Sequence, residues 1–156
     1  MAKVKPIPDG YNTVTPYLIV KGAAHAIDFY KKALGAKEIY RMHGPGGTIA
    51  HAEIQIGDSR VMLSDEHPEM GYTAPQPGTR VPVGLHLYVE DVDKVAAQAE
   101  AAGIKTLRPV ADQFYGDRTG TFLDPFGHQW SIGTHKEDVS QEEMERRMSA
   151  AMKKSA

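Results

Sequence analysis

The sequence predicts an α+β fold in which one β-α-β-β-β module is used twice and is followed by a helical tail. Three observations carry that expectation. The stretch LIVKGAAHAIDFYKKALGAK (18–37) realigns with LYVEDVDKVAAQAEAAGIK (87–105) with one residue of slack, and each copy ends in Gly, a small or apolar residue, and Lys. Each half then closes on a hairpin, HAEIQIGDSRVMLS in the first and TGTFLDPFGHQWSIGT in the second. Between them lies a Pro- and Gly-rich stretch, 67–82, with no periodicity. A supersecondary unit that recurs at this distance reads as a duplicated module.

In chain order, Thr13 to Val20 is rich in β-branched and aromatic residues and predicts a strand. Ala23, Ala26, Ile27, Tyr30 and Leu34 recur on one helical face, and Gly35 stops that helix. Lys37 to Met42 predicts a second strand, Ile49 to Ile56 a third, and Arg60 to Ser64 a fourth across the tight turn Gly57-Asp58. The pattern restarts with a strand over Val83 to Val89. Asp91 or Asp93 then caps a helix with Val92, Val95, Ala96, Ala99 and Ala102 on one face. Ile104 to Leu107 predicts a strand and Arg108 to Asp117 a loop. Thr119 to Leu123 and Gln129 to Thr134 pair across Asp124-Pro125-Phe126-Gly127. The first module therefore covers about 11–66, the linker 67–82 and the second module about 83–135. Residues 1–139 form a single domain and 140–156 a helical tail. In the tail Ser140 and Glu143 fit a capping box, and Met144, Met148 and Met152 form a stripe.

A chain of 156 residues buries roughly two thirds of the surface its unfolded form exposes, so it needs no covalent staple. It has no cysteine, which excludes disulfides and thiolate metal sites and fits a cytoplasmic location. With 18 Lys and Arg against 20 Asp and Glu, the net charge of −2 gives no electrostatic reason to expect nucleic acid or an acidic membrane. No apolar run approaches the length of a membrane span.

The phrases TPYLIV with AIDFYKKALGA (15–36), HAEIQIGDSRVMLSDE (51–66) and DQFYGDRTGTFLDPFGHQWSIGTHKEDVS (112–140) resemble the glyoxalase/bleomycin-resistance/dioxygenase (vicinal oxygen chelate) superfamily, and its PhnB-like branch in particular. The resemblance covers 13–135. It implies two modules whose strands form an incomplete barrel around one cleft. In metal-using members, His, Gln or Glu side chains from the first and last strands of each module hold a divalent metal that acts as a Lewis acid. Carried over, those positions fall on Thr15, near Leu63, on Gly84 and on Ser131, and none is a His or a carboxylate. The expectation is no metal of the family's kind and no cofactor.

Strand alternation offers another constellation. Ala52, Ile54 and Ile56 share one face of their strand and His51, Glu53 and Gln55 the other. In the second module Leu85 and Leu87 alternate with Gly84, His86 and Tyr88. Thr15, Tyr17, Gln129 and Ser131 join the polar set by the same rule. The ligand-contacting candidates are thus Thr15, Tyr17, His51, Glu53, Gln55, His86, Tyr88, Gln129 and Ser131, with Glu53 and His86 as an acid–base pair if the protein is catalytic. Asp117 and Arg118 are expected to brace a loop near Asp124. Two functional readings follow: a metal-independent binder of a small aromatic or polyoxygenated molecule, or an isomerase, lyase or dioxygenase with a nonstandard metal or Glu/His site. The resemblance and the methionine stripe imply a homodimer. An interaction module working through the tail is a third class.

Overall fold

The computed structural model describes residues 3–155 and divides into two compact units between Arg80 and Val81. Each unit is one β-α-β-β-β module. The first contains β1 (Tyr17–Val20), α1 (Ala23–Leu34), β2 (Lys37–His43), β3 (Ile49–Ile56) and β4 (Ser59–Asp65). Its sheet order is β1-β4-β3-β2, with β1 parallel to β4 and the other pairs antiparallel. The second contains β5 (Gly84–Tyr88), α2 (Val92–Ala102), β6 (Lys105–Asp112), β7 (Asp117–Leu123) and β8 (Gln129–His135), in the same order, β5-β8-β7-β6. The tail helix α3 (Gln141–Lys154) follows.

One face of each sheet buries a helix. In the first unit the register row Leu18–Leu63–Ala52 lies on that face, and these residues pack with Ala23, Ala26, Ile27, Tyr30 and Leu34 of α1. Each large apolar side chain so buried contributes about 1.5–3 kcal/mol. In the second unit the helix contributes small residues, Val92, Ala96 and Ala99, and the sheet large ones, Phe122, Trp130 and Ile132. The two helix starts differ. Asp91 caps α2 by accepting from the Lys94 amide, whereas α1 begins at Gly22 with its first amides bonded to Asp65 at the end of β4.

Two elements depart from the sequence expectation. Strand β1 starts at Tyr17, because Pro16 has no N–H to donate, although its carbonyl accepts from Met62. Residues 108–112, expected as loop, extend β6 through Pro109. An edge strand tolerates proline, and β6 absorbs it with a register shift between Arg108 and Ala111. The repeat is legible down to a second irregularity: an extra residue, Ile39 in β2 and Leu107 in β6, bulges two positions after the shared lysine in each module. Asp117 opens β7 rather than lying in a loop, and neither Asp117 nor Arg118 pairs with Asp124. Arg118 binds Asp93 and Asp112 instead.

Candidate ligand-binding site

The open face of the first sheet is built on one register row, Tyr17–Met62–Glu53–Tyr40, which crosses all four strands. His51, two residues along β3, joins these side chains into a hydrogen-bonded chain. The Tyr17 hydroxyl lies 2.8 Å from His51 Nδ1, and His51 Nε2 lies 3.2 Å from Glu53 Oε1. Tyr40 donates to the same Oε1 at 3.1 Å. Both tyrosine rings flank the imidazole, at 5.4 and 5.8 Å between centroids.

Glu53 is only 4% exposed, and its second oxygen, Oε2, is buried without a hydrogen-bond partner. Burial pushes its carboxyl above the ordinary range, against the opposing charge of Arg60. With Tyr17 donating to His51 Nδ1 and the imidazole proton on Nε2, Oε1 accepts from both His51 and Tyr40; the proton of the neutral acid then belongs on Oε2, which makes that atom a donor. Glu53 lines a cavity of about 500 Å³ with Met62, Tyr40, Thr15 and the N-terminal segment from Pro6 to Thr13. Tyr11 of that segment lies over the Arg60 guanidinium, 5.4 Å from ring centre to Cζ.

Of the first-module candidates, Tyr17, His51 and Glu53 come together, and Thr15 lines the cavity with its hydroxyl on the Asn12 carbonyl. Gln55 is engaged locally, donating to the Gly57 carbonyl across the hairpin turn at 2.9 Å. Sequence reasoning missed Tyr40, since the Ile39 bulge breaks the alternation that would have placed it opposite Glu53. It also missed the wall formed by Pro6, Ile7, Pro8 and Tyr11, which carries no periodic signal.

In the second unit His86 pairs with Ser131 in register, Gly84 with Gln129 and Tyr88 with Gly133. The four candidates therefore share the open face of that sheet. His86 and Tyr88 stack edge to face at 4.5 Å. The Tyr88 hydroxyl donates to Asp117 Oδ2 at 2.8 Å, and His135 Nδ1 meets Asp117 Oδ1 at 2.7 Å. His135 Nε2 meets Asp138 at 2.7 Å. An imidazole between two carboxylates donates from both nitrogens only as the cation, so Asp138 and Asp117 together raise the His135 pKa above 6.5. Burial pushes Asp117 up, but the bonds from His135 and Tyr88 outweigh it and hold its carboxyl below the ordinary range.

The signs for stability are opposite. The His135 contribution is complete below its ordinary value and is lost as pH rises through its raised folded value. The Asp117 contribution is present above the ordinary carboxylate range and is lost as pH falls through its lowered value. Denaturant unfolding across a pH series should therefore show a decline on the alkaline side that His135→Gln removes.

The residues at the family's metal positions do not suit a metal. Thr15 and Ser131 offer hydroxyls, Gly84 offers no side chain, and Leu63 is fully buried on the face turned toward α1. The neighbours of Leu63 are no better, since Met62 is a thioether and Ser64 bonds to the Asp65 carbonyl. Among the described residues, no group of three or more His, Asp or Glu has the geometry to hold an ion.

Residues 10–132 match the model of the Glyoxalase/Bleomycin resistance protein/Dioxygenase superfamily. An uncharacterised Mycobacterium bovis protein, Mb0911c, is 41% identical over 140 residues, which is 88% of this chain and 92% of the relative. The crystal structure of TioX from Micromonospora sp. ML1 superposes with a TM-score of 0.64 at 26% identity, over 80% of this chain and 98% of that one. A PhnB protein from Bacillus cereus shares the fold with a TM-score of 0.61 at 16% identity, over 79% and 99% of the two chains.

Proposed function

The chain belongs to the glyoxalase/bleomycin resistance protein/dioxygenase superfamily, and from that premise we propose that it binds a small molecule in the first-module cavity without a metal of the family's kind. The observation that supports this reading is Glu53, a buried acid with one oxygen unbonded in the wall of a cavity of ligand size. An unsatisfied buried polar atom costs about 1–3 kcal/mol, which a ligand acceptor can relieve. The apolar wall of Ile7, Pro6, Pro8, Met62 and the Tyr11 and Tyr40 rings suits a small aromatic ring. Asn12, Thr13, Thr15 and Glu53 suit oxygens placed around it. A small aromatic or polyoxygenated molecule is therefore the proposed ligand class. His86, Tyr88, Gln129 and Ser131 are proposed as the ligand contacts of the second module. The reading includes a homodimer in the cytoplasm.

Glu53 also sets a pH dependence. Its neutral form is the donor, so ligand affinity should fall as pH rises through its raised folded value. Protein stability should fall over the same interval, because the native state binds this proton more tightly than the unfolded chain does. A thermal-shift screen of small aromatic and polyoxygenated molecules, followed by calorimetry of the hits, tests this. Glu53→Gln keeps a donor and should bind within a few-fold of wild type while losing the pH dependence. Glu53→Ala should weaken binding by about 1–3 kcal/mol. Hits indifferent to Glu53→Ala would place the ligand elsewhere. The buried, cavity-lining carboxyl also favours one alternative, in which Glu53 works as acid or base on a bound molecule. A ligand consumed over time, with consumption lost in Glu53→Gln, marks that reading; a ligand recovered unchanged marks binding.

A further inference from the structure

A second group with unused hydrogen-bonding capacity lies beside Glu53. Across the β3–β4 hairpin Arg60 pairs with Gln55 and Met62 with Glu53, so Arg60 shares the open face and stands diagonally next to Glu53. Its positive charge acts on the Glu53 carboxyl. Arg60 Nε and Nη1 are buried and, like Glu53 Oε2, have no hydrogen-bond partner among the described residues. A buried guanidinium without an acceptor is among the costlier groups a fold can hold. The N-terminal segment is what covers it. The Tyr11 ring lies over the guanidinium, and a Cβ on Gly10 would come within 2.9 Å of Nη2. Among the described residues, the hydrogen bonds of 3–15 stay inside that segment: Lys5 donates to Asp9, the Tyr11 amide to the Pro8 carbonyl and Thr15 to the Asn12 carbonyl. This roof therefore rests on the sheet through Tyr11 and apolar packing, up to Pro16, whose carbonyl accepts from Met62.

These atoms define the chemistry that would pair with them. Arg60 Nε and Nη1 are donors on a cation, and Oε2 of neutral Glu53 is an O–H donor. Neighbouring donors of this kind call for a group that only accepts. A carboxylate has two accepting oxygens and a single charge, which matches the single cation. A phosphate dianion would bring a second charge with no cation to meet it, and a neutral ring would leave the guanidinium unpaired. We propose that the first-module cavity takes a small aromatic carboxylate, with one oxygen accepting from Arg60, the other from Glu53, and the ring against Tyr40, Met62 and Ile7. Tyr11 gives up its place over Arg60 to admit the carboxylate, which the absence of hydrogen bonds between the roof and the sheet permits. The ligand also fixes a proton. Once bound, it neutralises the Arg60 charge and sets a like charge beside Glu53, so the acid holds its proton more tightly in the complex. Binding is thus coupled to proton uptake wherever free Glu53 is ionised.

This inference rests on the reading of the cavity as a binding site and adds the ligand's charge and the residue that meets it. Calorimetry on the full chain tests it with benzoate and 4-hydroxybenzoate, set against benzamide and benzyl alcohol as neutral counterparts and phenyl phosphate as the dianion. The carboxylates should bind at least about tenfold more tightly than benzamide, because their hydrogen bonds are charge-assisted. Arg60→Gln should bring benzoate down to the level of benzamide while leaving benzamide within a few-fold of wild type. Arg60→Lys should recover part of the difference. Above the Glu53 transition, the heat of benzoate binding should vary with the ionisation enthalpy of the buffer, and Glu53→Gln should abolish that variation. In the wild-type protein the Arg60 Nε–H resonance should shift with benzoate and not with benzamide, a readout that stands even where Arg60→Gln fails to fold. Neutral aromatics that bind through Glu53, with carboxylates no tighter, would leave the cavity reading standing and overturn the carboxylate. Tighter binding of phenyl phosphate would overturn the single charge. Benzoate binding indifferent to Arg60→Gln, with the resonance unmoved, would overturn Arg60 as its partner. Failure of every probe, charged and neutral, would overturn both readings.

Discussion

Asp124→Ala is expected to lower stability by about 3–5 kcal/mol, because three donors lose one carboxylate. Asp124 is 3% exposed. Its Oδ1 accepts from the amides of Phe126 and His128, at 2.8 and 2.9 Å, and its Oδ2 accepts from the Trp130 indole at 2.8 Å. The residue therefore folds the DPFG turn and anchors the largest side chain of the second-module core in one step. Alanine leaves the indole N–H unsatisfied inside that core. Asparagine keeps the shape but turns one acceptor into a donor, so Asp124→Asn should cost about half as much. Trp130 is the only tryptophan, so its fluorescence reads the second module directly during denaturant unfolding. A loss below about 1 kcal/mol for Asp124→Ala would show that solvent or a neighbour replaces the carboxylate without strain.

Gly116→Ala should be nearly as damaging, for a different reason. Its φ is +98°, and an added Cβ would overlap the Glu137 carbonyl oxygen and lie 2.9 Å from Val139 Cγ2. The Gly116 carbonyl also accepts from the amides of Lys136 and Glu137, so the two backbone segments cannot part without losing those bonds. Strain and overlap together should cost about 3 kcal/mol or more. Gly103 separates the two contributions. It has a similar φ, +106° at the end of α2, but a Cβ there meets nothing within 4 Å. Gly103→Ala should cost only the backbone strain, about 1–2 kcal/mol. Equal losses for the two variants would show that steric overlap adds nothing at Gly116.

The architecture was legible because its signals are local and repeated. The apolar stripe of α1, the two hairpins and the glycine stops each act over a few residues, and the second module states them again. The polar face of β3 was legible for the same reason, and Tyr17, His51 and Glu53 do share hydrogen bonds. What escaped was set by tertiary context. One inserted residue, Ile39, reverses the facing of everything before it in β2 and concealed Tyr40. The β7–β8 ladder runs on to Asp117 and His135, one or two residues past the span the alternation outlined, so their contact escaped. The Pro6–Tyr11 wall has neither periodicity nor charge pattern, and only the folded chain brings it against Met62 and Glu53. Alternation reveals which face a side chain takes; it is silent on how far the pairing shifts.

The bulges that obscured those residues also bear on how the protein stays in solution. Strands β2 and β6 are each the last strand of their sheet, and each is interrupted by two register shifts, with Pro109 inside the second shift of β6. A regular outer strand presents an unbroken ladder of amides and carbonyls on which another chain can build. Here the ladder is broken at Ile39 and Leu107, and Pro109 has no amide to offer. The duplication thus carried with it a safeguard against end-to-end sheet growth, placed at the same point of both copies.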